Sequence, residues 1–376
     1  INKSFIMKIK YKVNQLKYEI TFCKKKKLNS ISKSIDRIKS DKNVLITYDN
    51  KINKKIVDEV RGELQSSGCK IHLFKCEGDK TNKNEKFLFK IIDKLIKEKF
   101  TKKSIVISLG GGVVGDVSAL ASSLYLRGLF YFNIPSTMTA IVDSCVGGKT
   151  AINYKGVTNS IGTYYHPKNI FIFEDVIKTI PNREFFAGFA EIIKCGIIDN
   201  KNILSFLSKN REKILARDYP VISKVCAMTL KSKIKLFSKD VYEDNQRLFL
   251  NFGHTFAHAI EMAIENNLKK DYIRHGEAVG LGILCEIFYA NQNKNLLYRS
   301  TQDLLNKFNL PTKLILKEIP IEPTKLQNNI YKNIFLDKKK LDKYPRYISI
   351  KKQGSPAIHE IKDFDFLNDT IIELMS

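Results

Sequence analysis

Two histidines, His254 and His258, lie four positions apart in LNFGHTFAHAIE, residues 250–261. On a helix that spacing puts both imidazoles on one face, one turn apart. Either both hold one metal ion, or one holds the ion while the other moves protons. A third histidine, His275, opens HGEAVG (275–280), again beside a glycine at a predicted helix start. Upstream, AEIIKCG (190–196) places Glu191 and Lys194 at i and i+3 on one helical face. One Glu with two His makes a catalytic divalent-metal site with positions left for substrate oxygens. H-x-x-x-H without the inner Glu of H-E-x-x-H argues against a zinc protease. A satisfied core histidine is the competing reading of His258.

Two glycine-bearing segments could hold anions. GGGVVG (110–115) satisfies G-x-G-x-x-G, follows a predicted strand and opens a helix. Such a turn lets backbone approach a pyrophosphate and offers free N–H donors at the helix start. Close helix–strand packing explains it equally well. The turn lies in mid-domain, and no acid follows about 20 residues on, so an ordinary Rossmann layout is not expected. The segment from 134 to 162 gathers Ser136, Thr137, Asp143, Lys149, Asn153 and Asn159 between two strands. It reads as an irregular, ligand-lining stretch. Its GGKT lacks the earlier Gly of a P-loop, where Asp143 stands, so Lys149 is read as an anion partner. Arg127, Lys194, Lys233, Arg247, Asn251 and Lys338 add anion-binding groups near these motifs. Taken singly, each such residue is more often a solvated surface residue.

The elements that must carry these groups follow from periodicity. VLITY (44–48), IHLF (71–74), SIVISL (104–109), LFYFNI (129–134) and IFIF (170–173) read as strands. Between them lie helical patterns at 56–64, at 85–99 with a stripe of Leu88, Ile91, Ile92, Leu95 and Ile96, and after the glycine turn. This βαβ traffic implies a parallel sheet. After Pro181 the texture becomes helical, at 183–199, 201–214, 219–239, 253–267, 276–291 and 300–308, with YISI (347–350) as a lone strand signal. The boundary is placed near residue 177, giving an α/β domain over 1–177 and a mainly α domain over 178–376.

Bulk properties set limits. The 376 residues suffice for two cores, and 43% apolar content excludes wholesale disorder. The net charge of +25 comes from lysines spread along the whole chain. No arginine-rich arm or aromatic–basic interleaving supports nucleic-acid binding. The positive field suits phosphorylated or carboxylated substrates. Seven scattered cysteines without a C-x-x-C pair fit reduced thiols, and none has metal-ligand spacing. INKSFIMKIKYK lacks the apolar core of a signal peptide. No apolar run reaches spanning length. An intracellular protein with no membrane partner is expected. The first residue being Ile, a start at Ile1 through an unusual codon or at Met7 is expected.

Taken together, GGGVVGD (110–116), YLRG (125–128), VDSCVGGKTAIN (142–153), NSIG (159–162), AEIIKCGI (190–197), NFGHTFAHAIE (251–261), HGEAV (275–279) and LDKK (336–339) resemble the 3-dehydroquinate synthase family, in family order. The resemblance implies a Rossmann-like α/β nucleotide-binding domain, an all-α metal-binding domain and a cleft between them. It implies a cytoplasmic homodimer that uses NAD and zinc (cobalt can serve). The activity implied is conversion of 3-deoxy-D-arabino-heptulosonate 7-phosphate into 3-dehydroquinate and phosphate, in the shikimate pathway.

Carried over residue by residue, Glu191, His254 and His275 match the metal ligands. His258 matches a proton-transfer position on the phosphate side, and Glu243 a second proton acceptor. Arg127, Asp143, Lys149, Asn159, Lys194, Lys233, Arg247, Asn251 and Lys338 match substrate contacts. Cofactor contacts fall at Asp79, Lys80 and Lys83, at Gly112, Val113, Val114, Gly115 and Asp116, at Ser136 and Thr137, at Lys149 and Thr158, and at Val176, Ile177, Lys178 and Thr179. Thr158 stands where the family commonly has Lys, Ser136 replaces the first Thr of a Thr–Thr pair, and GDKTNK (78–83) is one residue longer than usual.

The implied reaction oxidises a secondary alcohol, eliminates phosphate, returns the hydride and closes a carbocycle by an aldol step. Most of this asks for positioning, which can supply roughly 7–11 kcal/mol of a barrier. Lys149, Lys194, Asn159, Asn251 and His258 are expected at the phosphate end of the substrate, and Lys233 with Arg247 at the carboxylate end. Three rivals remain. A sedoheptulose 7-phosphate cyclase would use the same scaffold. An iron-type alcohol or glycerol dehydrogenase would carry GGGSxxD and lack the Glu191–Lys194 pair. A catalytically dead binding protein fits poorly with an intact Glu191, His254, His275 and Lys149.

Overall fold

The computed structural model describes residues 6–24, 28–265, 268, 272–336 and 344–376. The chain forms two compact units, residues 1–181 with 217–234, and residues 182–216 with 235–376.

The first unit is built on a seven-stranded sheet. Its strands are β1 (Ile6–Val13), β2 (Leu16–Cys23), β3 (Asn43–Asp49), β4 (Lys70–Cys76), β5 (Ile105–Gly110), β6 (Phe130–Pro135) and, after a separate hairpin of β7 (Lys149–Tyr154) and β8 (Val157–Tyr164), β9 (Asn169–Phe173). The order is β1-β2-β9-β6-β5-β3-β4, parallel except for the β1–β2 pair. Alternate residues feed two cores. Val44, Ile46, Ile105 and Ile107 pack with Val57, Val60 and Leu64 of helix Lys54–Ser66. Leu45 and Val106 pack with Leu88, Ile91 and Leu95 of helix Glu85–Lys97 and with Val117 and Leu120 of helix Gly112–Leu124. Burial on both faces is why β5 reads as an unbroken apolar run.

The chain steps outward from β3 to β4, then crosses back to β5 on the other side of β3. The carboxyl ends of β3 and β5 therefore flank a topological switch point, where open α/β sheets bind ligands. GGGVVG follows β5 at that crevice. Its mid-domain position is explained because the nucleotide-type strand order begins at β3, the β1–β2 hairpin being an addition.

Several expectations change. The stretch 134–162 is not irregular. It holds a short π-helical turn at Ala140–Ser144 and the β7–β8 hairpin, closed by Lys155 and Gly156 at φ 46° and 77°, the backbone of a two-residue hairpin turn. The stripe on helix Glu85–Lys97 is narrower than expected, since Ile96 is 58% exposed and Phe87 is buried in its place. A single cut at 177 does not describe the chain, because residues 217–234 of helix Tyr219–Phe237 fold with the first unit. Apolar periodicity gives helix type but not docking partner. Here the Tyr219 hydroxyl donates to the Ile172 carbonyl of β9 at 3.0 Å.

The second unit is helical apart from a hairpin of β10 (Arg346–Ile350) and β11 (Pro356–Glu360). Helices Asn182–Ile198 and His275–Asn291 are buried almost all round and form its centre, as uniformly apolar helices must. Helices Pro323–Leu336 and Phe364–Met375 were not anticipated. Among the described residues, no helix is long and apolar enough to cross a membrane.

Candidate metal and substrate site

In the second unit three helices bring the expected metal ligands together. Glu191 lies on the buried helix Asn182–Ile198, His254 opens helix His254–Glu265, and His275 opens helix His275–Asn291. Close backbone approach makes this possible. A Cβ on Gly276 would stand 1.8 Å from the Ala187 carbonyl oxygen, and one on Gly282 would stand 1.9 Å from that of Gly253. Glycine at these positions lets the three helices close up until their polar side chains meet.

One donor atom from each of Glu191, His254 and His275 lies within 4.8 Å of the others. Glu191 Oε1 is 3.7 Å from His254 Nε2 and 3.9 Å from His275 Nε2. One carboxylate oxygen and two imidazole nitrogens suit a divalent ion and leave a coordination position open. The outer ring nitrogens are occupied: His254 Nδ1 lies 3.2 Å from the Phe252 carbonyl, and His275 Nδ1 lies 3.1 Å from Glu261 Oε2. Lys194 Nζ pairs with Glu191 Oε2 and donates to the Leu250 carbonyl at 2.7 Å. These residues fit the ion. The His258 ring is 5.4 Å from that of His254 and 6.3 Å from that of His275, beside the three ligands but not among them.

Around the triad, Asn251 Nδ2 donates to Glu243 Oε1 at 2.6 Å. Arg247 is 3% exposed, donates to the Val241 carbonyl at 2.6 Å and lies over the Phe237 ring at 5.5 Å. Asp240, missed in the sequence, organises this turn by accepting from the backbone N–H groups of Asp244, Asn245 and Arg247. Partial burial raises its carboxyl, but these donors outweigh that and hold it below the ordinary range. Glu261 was missed too. Its signal was legible, since it follows His254 by two helical turns on the same face.

In the first unit, Lys83 Nζ donates to Asp116 Oδ2 and to Asn159 Oδ1, both at 2.6 Å. Burial pushes the Asp116 carboxyl up, against the pull of Lys83. The expected cofactor residues after β5 and an expected substrate residue on β8 thus meet through one lysine. Asp143, in the π-helical turn, pairs with Lys233 of helix Tyr219–Phe237, whose Nζ also donates to the Asp143 carbonyl at 2.8 Å. Lys149 starts β7 and is exposed, directly after Gly147 and Gly148 at φ 92° and 68°. Arg127 and its neighbour Leu126 both hold positive φ, at 63° and 49°, a strained turn of the kind found at functional sites.

Gly112, Val113 and Gly115 lie in the first turn of the helix after β5, and Ser136 and Thr137 follow β6. Asp79 pairs with Lys51, and Lys80 begins the turn Lys80–Asn82. Thr158 is exposed on β8. Val114, Val176 and Ile177 are buried in the core, so only their main chains could reach a ligand. Thr179 donates to the Val176 carbonyl and Lys178 pairs with Glu174. Lys338 lies outside the described residues. Asp49, at the carboxyl end of β3 beside the switch point, was not anticipated and is 9% exposed.

Comparison with known proteins agrees with this geometry. The family model for the N-terminal part of 3-dehydroquinate synthase matches residues 73–187, and that for the C-terminal part matches residues 188–340. A 3-dehydroquinate synthase of Ruminiclostridium cellulolyticum is 31% identical over 97% of this chain and 99% of its own length. One of Prochlorococcus marinus (strain MIT 9515) is 34% identical over 93% and 95%. A crystal structure of 2-deoxy-scyllo-inosose synthase complexed with carbaglucose-6-phosphate, NAD+ and Co2+ shares the fold, with a TM-score of 0.86 and 22% identity over 98% of this chain and 100% of that one. With both family models matched end to end over residues 73–340, the chain belongs to the 3-dehydroquinate synthase family.

Proposed function

We propose that this chain converts 3-deoxy-D-arabino-heptulosonate 7-phosphate into 3-dehydroquinate and phosphate, as an NAD- and metal-dependent carbon–oxygen lyase. Membership of the family supports the activity. The observation that carries the reading to named residues is the approach of Glu191, His254 and His275 donors to within 4.8 Å of one another.

When bound, a zinc or cobalt ion acidifies the substrate hydroxyls it touches, and NAD takes up and returns a hydride. The chain's own residues bind, orient and move protons. Glu191, His254 and His275 hold the ion. His258, adjacent to them and outside the ligand set, carries a proton at its ring nitrogen. Glu243, held by Asn251, is the second proton acceptor. In the second unit Lys194 and Asn251 contact the phosphate and Arg247 the carboxylate. In the first unit Lys149 and Asn159 contact the phosphate and Lys233 the carboxylate, with Arg127, Asp143 and Lys338 as further substrate contacts. The cofactor lies at the β3–β5 switch point, on the main chain of Gly112 to Asp116. The remaining cofactor residues are Asp79, Lys80, Lys83, Ser136, Thr137, Lys149, Thr158 and Val176 to Thr179. The enzyme is a cytoplasmic homodimer. Family membership supports this, and seven buried free cysteines are consistent with a reducing compartment.

The test offers purified protein the heptulosonate phosphate and, separately, sedoheptulose 7-phosphate, each with NAD and zinc. Phosphate release with 3-dehydroquinate as product from the first alone supports the proposal. A carbocycle formed only from sedoheptulose 7-phosphate replaces it with the cyclase reading. Alcohol oxidation that accumulates NADH without phosphate release replaces it with a dehydrogenase.

A further inference from the structure

His275 is held from behind by a charged group. Its Nδ1 lies 3.1 Å from Glu261 Oε2, while its Nε2 faces Glu191 Oε1 at 3.9 Å. A carboxylate only accepts hydrogen bonds, so Nδ1 is the donor and Nε2 keeps its lone pair for the ion. Glu261 is 7% exposed and stands on the helix that His254 opens. The contact therefore also ties the His254 helix to the first residue of the His275 helix. Behind the other imidazole ligand, His254 Nδ1 lies 3.2 Å from the carbonyl of Phe252. A charged acceptor makes the stronger hydrogen bond and raises the basicity of the ring it holds.

We propose that Glu261 is a positioning residue of the metal centre, fixing the tautomer and orientation of His275 and thereby setting how tightly the ion is held. This rests on the reading of Glu191, His254 and His275 as metal ligands. It adds a fourth side chain that never touches the ion.

The experiment titrates zinc into metal-stripped, full-length protein against a chromophoric chelator, for the parent chain, Glu261→Ala, Glu261→Gln and His254→Ala. Glu261→Ala should weaken zinc binding by about 10–100-fold. Glu261→Gln keeps an acceptor without charge and should fall at the lower end, about tenfold. The visible absorption of the cobalt-loaded protein should shift in both variants. Thermal unfolding without metal separates positioning from packing. An unchanged metal-free Tm with weakened zinc binding supports the proposal. A lowered Tm with parental zinc affinity in the folded protein overturns it. Should Glu261→Ala not fold, parental zinc affinity in Glu261→Gln overturns it alone. If His254→Ala also binds zinc as the parent does, the metal reading itself has failed. If His254→Ala loses zinc and neither Glu261 variant does, only the role of Glu261 has failed.

Discussion

Lys194 pairs with Oε2 of Glu191 three residues earlier on the same buried helix, and each side chain is only 1% exposed. The same ammonium donates to the Leu250 carbonyl, just before the turn into the His254 helix. One oxygen of Glu191 is thus taken by a fixed cation, while the other faces both imidazoles. Removing one partner of such a pair strands a charge where water cannot reach it. Lys194→Met should therefore destabilise the metal-free protein by about 3–5 kcal/mol in urea unfolding. Saturating zinc should narrow the gap, because a cation bound to the folded state compensates the same carboxylate. In turnover assays Lys194→Ala should raise KM and lower kcat together; unaltered kinetics would remove Lys194 from the site.

Chelation should abolish phosphate release, and zinc or cobalt should restore it. Glu191→Gln should keep the fold by circular dichroism but resist rescue by either ion. Turnover that survives exhaustive dialysis against chelator would contradict the metal assignment.

The turn after helix Tyr219–Phe237 should be acid-sensitive. The Asp240 carboxyl lies below its ordinary range in the folded chain. Unfolded, it titrates near about 3.9. Its contribution is therefore fully present above about pH 4 and is lost as pH falls through the lower, folded value. Asp240→Asn should flatten the acid limb of a stability–pH curve. It should also raise KM, because Glu243, Arg247 and Asn251 lose the turn that presents them.

Gly276 has no room for a side chain against Ala187. Gly276→Ala should cost about 1–3 kcal/mol through overpacking. Because the clash lies between the helix bearing Glu191 and the residue after His275, zinc affinity should fall as well. Stability loss with unchanged affinity would show that the helices separate elsewhere.

Strands β3, β4, β5, β6 and β9 were legible because each is an apolar run bounded by turn residues, whereas β1 and β2 were not read. The candidate metal cluster was legible as one Glu with nearby His, and the resemblance chose His254 over His258 within it. The β7–β8 hairpin was not. Val157, Thr158, Asn159, Ser160, Ile161 and Gly162 are all exposed, so no buried face imposed an alternation. Asp240 was missed for another reason. Its work is done on backbone N–H groups, which leave no mark in residue spacing. The placement of residues 217–234 was hidden because a helical stripe declares that it will be covered, not by what.

That last segment bears on any attempt to dissect the protein. The polypeptide crosses between its units three times, so neither is one uninterrupted stretch. A gene truncated after residue 181 would encode the sheet without the helix whose Tyr219 seals β9. Expression of that fragment should give aggregated or partly molten material, and adding back a peptide of residues 217–234 should be needed to recover a cooperative transition.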